Sequence, residues 1–190
     1  MSVIAALLSE HQSAAERFFA TESERWVSLA AEAAQCLKNN GTIFFAGNGG
    51  SACDSMHIAG EFVGRFKRER IGLPAISLSA DSGVITAIGN DYGFTEIFSR
   101  QIEALAKKGD LLIAMSTSGS SANILQAFAK ARSKGVTTVL MTGERGKNQT
   151  SVADHLFAVP VTDTARVQEV HMLALHILAE LVESELAGGA

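Results

Sequence analysis

Cysteine and proline are scarce in this chain, with two of each among 190 residues. Cys36 and Cys53 fall in neither CxxC nor CxxH spacing, so the sequence offers no disulfide framework and no cysteine zinc site. That usage suits a reducing compartment, and a cytoplasmic location is the expectation. With so little proline, and with 47% hydrophobic against 19% charged residues, the composition excludes disordered, collagen-like and low-complexity classes. A dominant charge is also missing. The 16 basic and 20 acidic residues leave a net charge of -4, which supplies no positive field to gather the chain on nucleic acid or an anionic membrane. An anionic ligand therefore needs a local site. No apolar run approaches the ~20 residues that cross a bilayer. The start, MSVIAALLSEHQ, has neither the basic lead nor the small-residue cleavage site of a signal peptide. The expectation is no nucleic-acid partner and no membrane.

The length suits one domain plus an added element. Residues 1-40 read as a helical extension of two helices, about 2-18 and 22-39, broken near Thr21-Glu22-Ser23. Leu7, Ala14, Phe18, Trp26, Leu29, Ala33 and Leu37 recur there at helical spacing. From residue 41 to 190 the period changes. Short apolar runs at 42-46, 74-78, 110-115, 136-141 and 156-159 predict five strands, and 164-186 a long terminal helix. Buried-type strands alternating with helices predict an α/β fold, a doubly wound, mainly parallel five-stranded sheet flanked by helices. Ligands of such sheets sit beyond the strand C-terminal ends.

Two junctions after strands carry the chemistry. Ser116-Thr117-Ser118-Gly119-Ser120-Ser121 sets hydroxyls and free N–H groups at a helix N-terminus, where a phosphate is favoured. A hydroxyl-rich cap is the plainer reading, but five hydroxyl residues in six exceed what one cap requires. Gly47-Asn48-Gly49-Gly50-Ser51-Ala52 formally matches GxGxxA, a weak dinucleotide signal, since Asp81 lies too far along to be its acidic partner. Close approach of the backbone to a ligand or a neighbouring element is the safer reading. On the helix that follows, His57 and Glu61 share a face at i,i+4 and could bind a metal, move protons or form an ordinary surface pair. Arg65 extends that face by a turn or is simply solvated. Asn90-Asp91-Tyr92-Gly93 either projects an amide and a carboxylate toward the crevice or makes a turn. In the terminal helix, His171 joins the apolar face of Val167, Val170, Ala174, Leu178 and Leu181, whereas His176 points away, beside Met172. A helix apolar on nearly all sides needs cover beyond its own sheet, which implies subunit contacts with His176 at or near an interface; an exposed histidine on an apolar helix is the plainer alternative.

Five segments, GNGGSACDSMHIAGEFVGRF, LPAISL, AIGNDYGF, GDLLIAMSTSGSSANI and RVQEVHMLALHIL, together resemble the sugar isomerase (SIS) domain family over residues 1-186. The branch they resemble isomerises sedoheptulose 7-phosphate to D-glycero-D-manno-heptose 7-phosphate, the first step toward nucleotide-activated heptose for lipopolysaccharide core or other surface glycans. The resemblance implies a cytoplasmic homotetramer, active sites at subunit interfaces, and one zinc per subunit. It makes Glu61 and His176 the acid-base pair and His57, Glu61, Gln168 and His176 the metal ligands. As substrate contacts it implies Asn48, Gly49, Gly50, Ser51, Glu61, Arg65, Asn90, Asp91, Ser116, Thr117, Ser118, Ser121 and Gln168. Ser120 departs from the asparagine usual in STSGNS, and Gly60 from the residue usual before the glutamate, which touches only fine substrate geometry. A non-enzymatic relative that binds the bacterial replication initiator is the alternative, and such relatives lack the carboxylate at Glu61.

Overall fold

The computed structural model describes residues 2-187; residues 1 and 188-190 lie outside the described residues. The five apolar runs form the strands β1 Ile43–Gly47, β2 Ala75–Ser77, β3 Leu111–Met115, β4 Thr137–Gly143 and β5 His155–Val159. All pair in parallel, in the order β2-β1-β3-β4-β5. Successive residues alternate between two apolar layers, which is why the strands read as unbroken apolar runs. Ile43 and Phe45 face one layer, with Leu111, Ile113 and Met115. Phe44 and Ala46 face the other, with Leu112 and Ala114. The first layer is covered by α1 Val3–Lys38, α2 Gly50–Val63 and α6 Thr164–Ala187, and the second by α4 Ser99–Leu105 and α5 Ala122–Ser133.

The expected break near Thr21-Glu22-Ser23 is absent, and α1 is one helix of 36 residues. Its hydroxyls turn inward along the helix instead of breaking it: Thr21 Oγ1 donates to the Phe18 carbonyl at 3.2 Å, and Ser23 Oγ to that of Phe19. Packing holds the continuous form. Phe18 and Trp26, two turns apart, are both buried and meet edge to face, and Trp26 Nε1 donates to the Ala174 carbonyl of α6 at 2.9 Å. Two further helices were not foreseen, α4 and α3 Ser82–Tyr92. Asn90 and Asp91 therefore lie in the last turn of α3 rather than in a turn between elements, and Asp81 caps that helix by accepting from the Val84 N–H at 2.9 Å.

Topology fixes where a ligand can sit. From β1 the chain crosses to β2 on one side, and from β3 it proceeds to β4 and β5 on the other, so the order reverses between β1 and β3. A ligand of such a sheet sits where the loops after these two strands part, beyond their C-terminal ends. They are the two loops singled out in the sequence.

His171 lies in the core as the pattern implied, fully buried, with Nε2 3.2 Å from the Thr142 carbonyl and Nδ1 unpartnered. Burial pushes its pKa down from 6.5 to about 4. A folded-state value below the unfolded one means stability that is complete above pH 6.5 and lost as pH falls toward 4, amounting to about 3 kcal/mol. Denaturant titrations at pH 7 and pH 4.5 should show that loss in the wild type. His171→Leu should lose correspondingly less, and an identical acid loss in both would refute the assignment.

Candidate active site

The first loop is set by backbone geometry. Gly49 adopts φ +58°, a left-handed conformation that favours glycine. A Cβ on Gly50 would come within 2.7 Å of the Gln168 side-chain amide, so the α2 N-terminus and α6 meet closely here, and a larger residue at 50 would displace that amide. Ser51, buried behind it, accepts a long hydrogen bond from Gln168 Nε2 at 3.4 Å. Close approach is strictest at Gly47, where a Cβ would lie 2.3 Å from the Ser51 carbonyl oxygen, in keeping with the safer reading of the loop.

The second loop does not behave as a cap. Ser121 is the N-cap residue of α5, yet its side chain makes no capping bond; its hydroxyl lies 2.8 Å from that of Ser116. Ser118 accepts from the backbone N–H and hydroxyl of Ser120, and the Thr117 carbonyl accepts from the Gly143 N–H. The hydroxyls thus line the start of a helix without being consumed by it, which is what an anion requires. Asn123, overlooked in the sequence, joins the loops. Its amide and that of Asn48 exchange reciprocal hydrogen bonds of 2.8 and 3.0 Å across the crevice. Its position, two residues after Ser121 in the first turn of α5, was the available signal.

Residues 119 positions apart in sequence form the reactive cluster. His57 Nε2 lies 3.2 Å from Glu61 Oε1 and 3.2 Å from His176 Nε2. Glu61 and His176 are half-buried, and His57 is exposed. The ring of Phe66 stacks on His176, with centroids 5.4 Å apart and planes inclined by 7°. Burial, followed by the neighbouring His57, lowers the His176 pKa against the opposing pull of Glu61, so the ring is neutral at pH 7 and able to accept a proton or ligate a metal. A tetrahedral zinc with bonds of about 2.0–2.1 Å holds its donors about 3.3–3.4 Å apart. The two measured separations match that spacing, and two imidazoles with a carboxylate suit zinc.

The remaining expected residues stand elsewhere. Gln168 lies eight residues before His176, about 12 Å along the helix, at the glycine loop. Arg65 does not extend the α2 face, because the helix ends at Val63; it is exposed and pairs with Glu69 at 3.5 Å. Asn90 donates to Asp91 at 2.8 Å, both exposed at the end of α3.

The fold is that of a sugar isomerase (SIS) domain: the SIS domain family profile matches residues 8–143, and the chain belongs to that family. Within it, the chain is 48% identical to the phosphoheptose isomerase of Burkholderia pseudomallei (strain 1710b), over 98% of this chain and 90% of that one. It is also 48% identical to the phosphoheptose isomerase of Thermodesulfovibrio yellowstonii, over 90% and 85%. The structure of phosphoheptose isomerase GmhA from Neisseria gonorrhoeae superposes with a TM-score of 0.88 at 38% identity, covering 95% of this chain and 97% of that one.

Proposed function

We propose that this chain isomerises sedoheptulose 7-phosphate to D-glycero-D-manno-heptose 7-phosphate, the first step toward nucleotide-activated heptose for surface glycans. The observation that carries the reading is the meeting of Glu61 and His176, through His57, in a chain whose near-full-length relatives are phosphoheptose isomerases. Ketose–aldose exchange moves a proton between C1 and C2 while the carbonyl and hydroxyl oxygens exchange theirs. It needs two proton carriers. Glu61 turns Oε1 to His57, leaving Oε2 to carry the carbon-bound proton. His176, neutral through its burial, accepts and returns the proton of the oxygens during ring opening and enolisation. Ser116, Thr117, Ser118 and Ser121 hold the phosphate at the α5 N-terminus, and Asn48, Gly49, Gly50, Ser51 and Gln168 line the adjoining sugar site. Arg65, Asn90 and Asp91 are further substrate contacts on the family pattern alone, since within this chain they stand apart from the cluster.

His57 and Glu61, with His176 whenever it is not carrying the proton, would hold a zinc ion and leave a position open; Gln168, the further ligand that the family pattern implies, stands at the glycine loop instead. Bound there, zinc supplies a positive charge that stabilises the enediolate oxygen. The assembly is a cytoplasmic homotetramer with sites at subunit boundaries, a reading supported by α3, which buries no residue of its own, and by the exposed Val3, Ile4 and Leu8 of α1. No helix among the described residues is long and apolar enough to cross a membrane. The replication-initiator-binding alternative finds no support, since the carboxylate its members lack is present and meets its partner groups.

The test is incubation with sedoheptulose 7-phosphate, followed by NMR. The aldose should form, chelation should suppress it, and added zinc should restore it. No aldose from the zinc-loaded protein would overturn the assignment, and turnover indifferent to chelation would remove the metal from it.

A further inference from the structure

Glu183 lies on α6 seven residues beyond His176, two turns along the same face, and is 3% exposed. Such burial disfavours a carboxylate unless it is paired and hydrogen-bonded, and here it is both. It accepts the backbone N–H groups of Phe66, Lys67 and Arg68 at 3.0, 3.0 and 3.1 Å, and Arg70 Nε at 2.9 Å. Arg70 in turn donates through Nη2 to the Glu61 carbonyl at 2.8 Å, and through Nη1 to those of Phe62 and Gly64 at 2.9 and 3.1 Å. A cation thereby satisfies the carbonyls at the end of α2, where the helix dipole favours it.

The contacts run in both directions to the reactive cluster. Through Arg70, Glu183 is tied to the main chain of Glu61; through the Phe66 N–H, it fixes the residue whose ring stacks on His176. A loop clamp alone would not need to end on both. We propose that Glu183, Arg70 and Phe66 are positioning residues, a buried brace that sets the separation of α2 and α6 and the plane of the His176 ring. The inference rests on the reading of Glu61 and His176 as the acid-base pair and metal ligands. It adds residues that touch neither substrate nor ion.

The test uses Glu183→Gln, Phe66→Leu and Phe66→Tyr in the intact oligomer. Turnover, KM for sedoheptulose 7-phosphate, thermal midpoint and zinc affinity by competition with a chromogenic chelator are measured for each. Loosening the brace should cost about 10- to 100-fold in kcat and in zinc affinity, the usual range for groups that orient ligands from behind. KM should stay within about twofold, because the phosphate loop stands on β3 and α5 and the brace leaves its uniform binding of substrate intact. Phe66→Tyr retains the stacked ring and should restore both quantities; if Glu183→Gln does not fold, the Leu and Tyr variants at Phe66 decide the matter. A lowered thermal midpoint with wild-type kcat and zinc affinity would reduce the brace to a structural clamp and overturn the proposal. Zinc affinity also separates the two ideas. Normal turnover in Glu61→Gln with zinc loosened by Glu183→Gln would sink the acid-base reading and leave the brace. An inactive Glu61→Gln beside unaffected brace variants would do the reverse.

Discussion

Glu61→Gln should lower kcat by about 10³-fold, within the range that a positioned acid or base contributes. The substitution keeps the shape of the side chain and an oxygen able to face His57 but removes the site for the carbon-bound proton. KM should change by only a few fold, because the loop proposed to hold the phosphate stands on other elements. The metal-free thermal midpoint and the oligomeric state should also be unchanged, as Glu61 belongs to neither apolar layer. Steady-state kinetics beside light scattering and thermal melts would show this pattern. Near-normal turnover by a folded, zinc-loaded variant would remove Glu61 as the base.

Removing the phosphate from the substrate should be at least as damaging. Hydrogen bonds to a charged group contribute roughly 1.5–3 kcal/mol each. Three donors from the Ser116-to-Ser121 loop would then amount to about 6 kcal/mol, or about 10⁴-fold in kcat/KM. Loss of affinity alone would leave kcat intact at saturation. Here kcat should fall as well, since the anchored end holds a flexible seven-carbon chain with C1 and C2 at Glu61. Kinetics with sedoheptulose in place of its 7-phosphate would separate the two, and an unchanged kcat would mean that the loop binds substrate without positioning it.

Much of this was legible because strands buried on both faces leave continuous apolar runs, and all five were located to within two residues at every end. The misplaced break in α1 shows the limit. Thr21 and Ser23 look like breakers in sequence, but their hydroxyls bond back to carbonyls of their own helix while Phe18 and Trp26 hold it against the core. Helix α3 left no signal of burial because none of its residues is buried in this chain. At the site, the i,i+4 spacing of His57 and Glu61 was visible, and the family motifs supplied His176. The Asn48–Asn123 bridge and the Glu183–Arg70 brace join residues 75 and 113 positions apart, and no local pattern encodes such a contact. Arg65 was misread for a local reason: α2 ends at Val63, before the turn that would have aligned it with Glu61.

The central claim is that a proton leaves carbon for a side chain and returns from it. Glu61 keeps 25% of its side-chain surface open to solvent, so the proton it holds can exchange with water before it is returned. Isomerisation of sedoheptulose 7-phosphate in heavy water, followed by NMR, measures this directly. The aldose formed by the wild-type protein should carry deuterium at C2, and Glu61→Gln should neither label the sugar nor convert it. Aldose formed at full rate with its C2 hydrogen drawn wholly from the substrate would contradict the account.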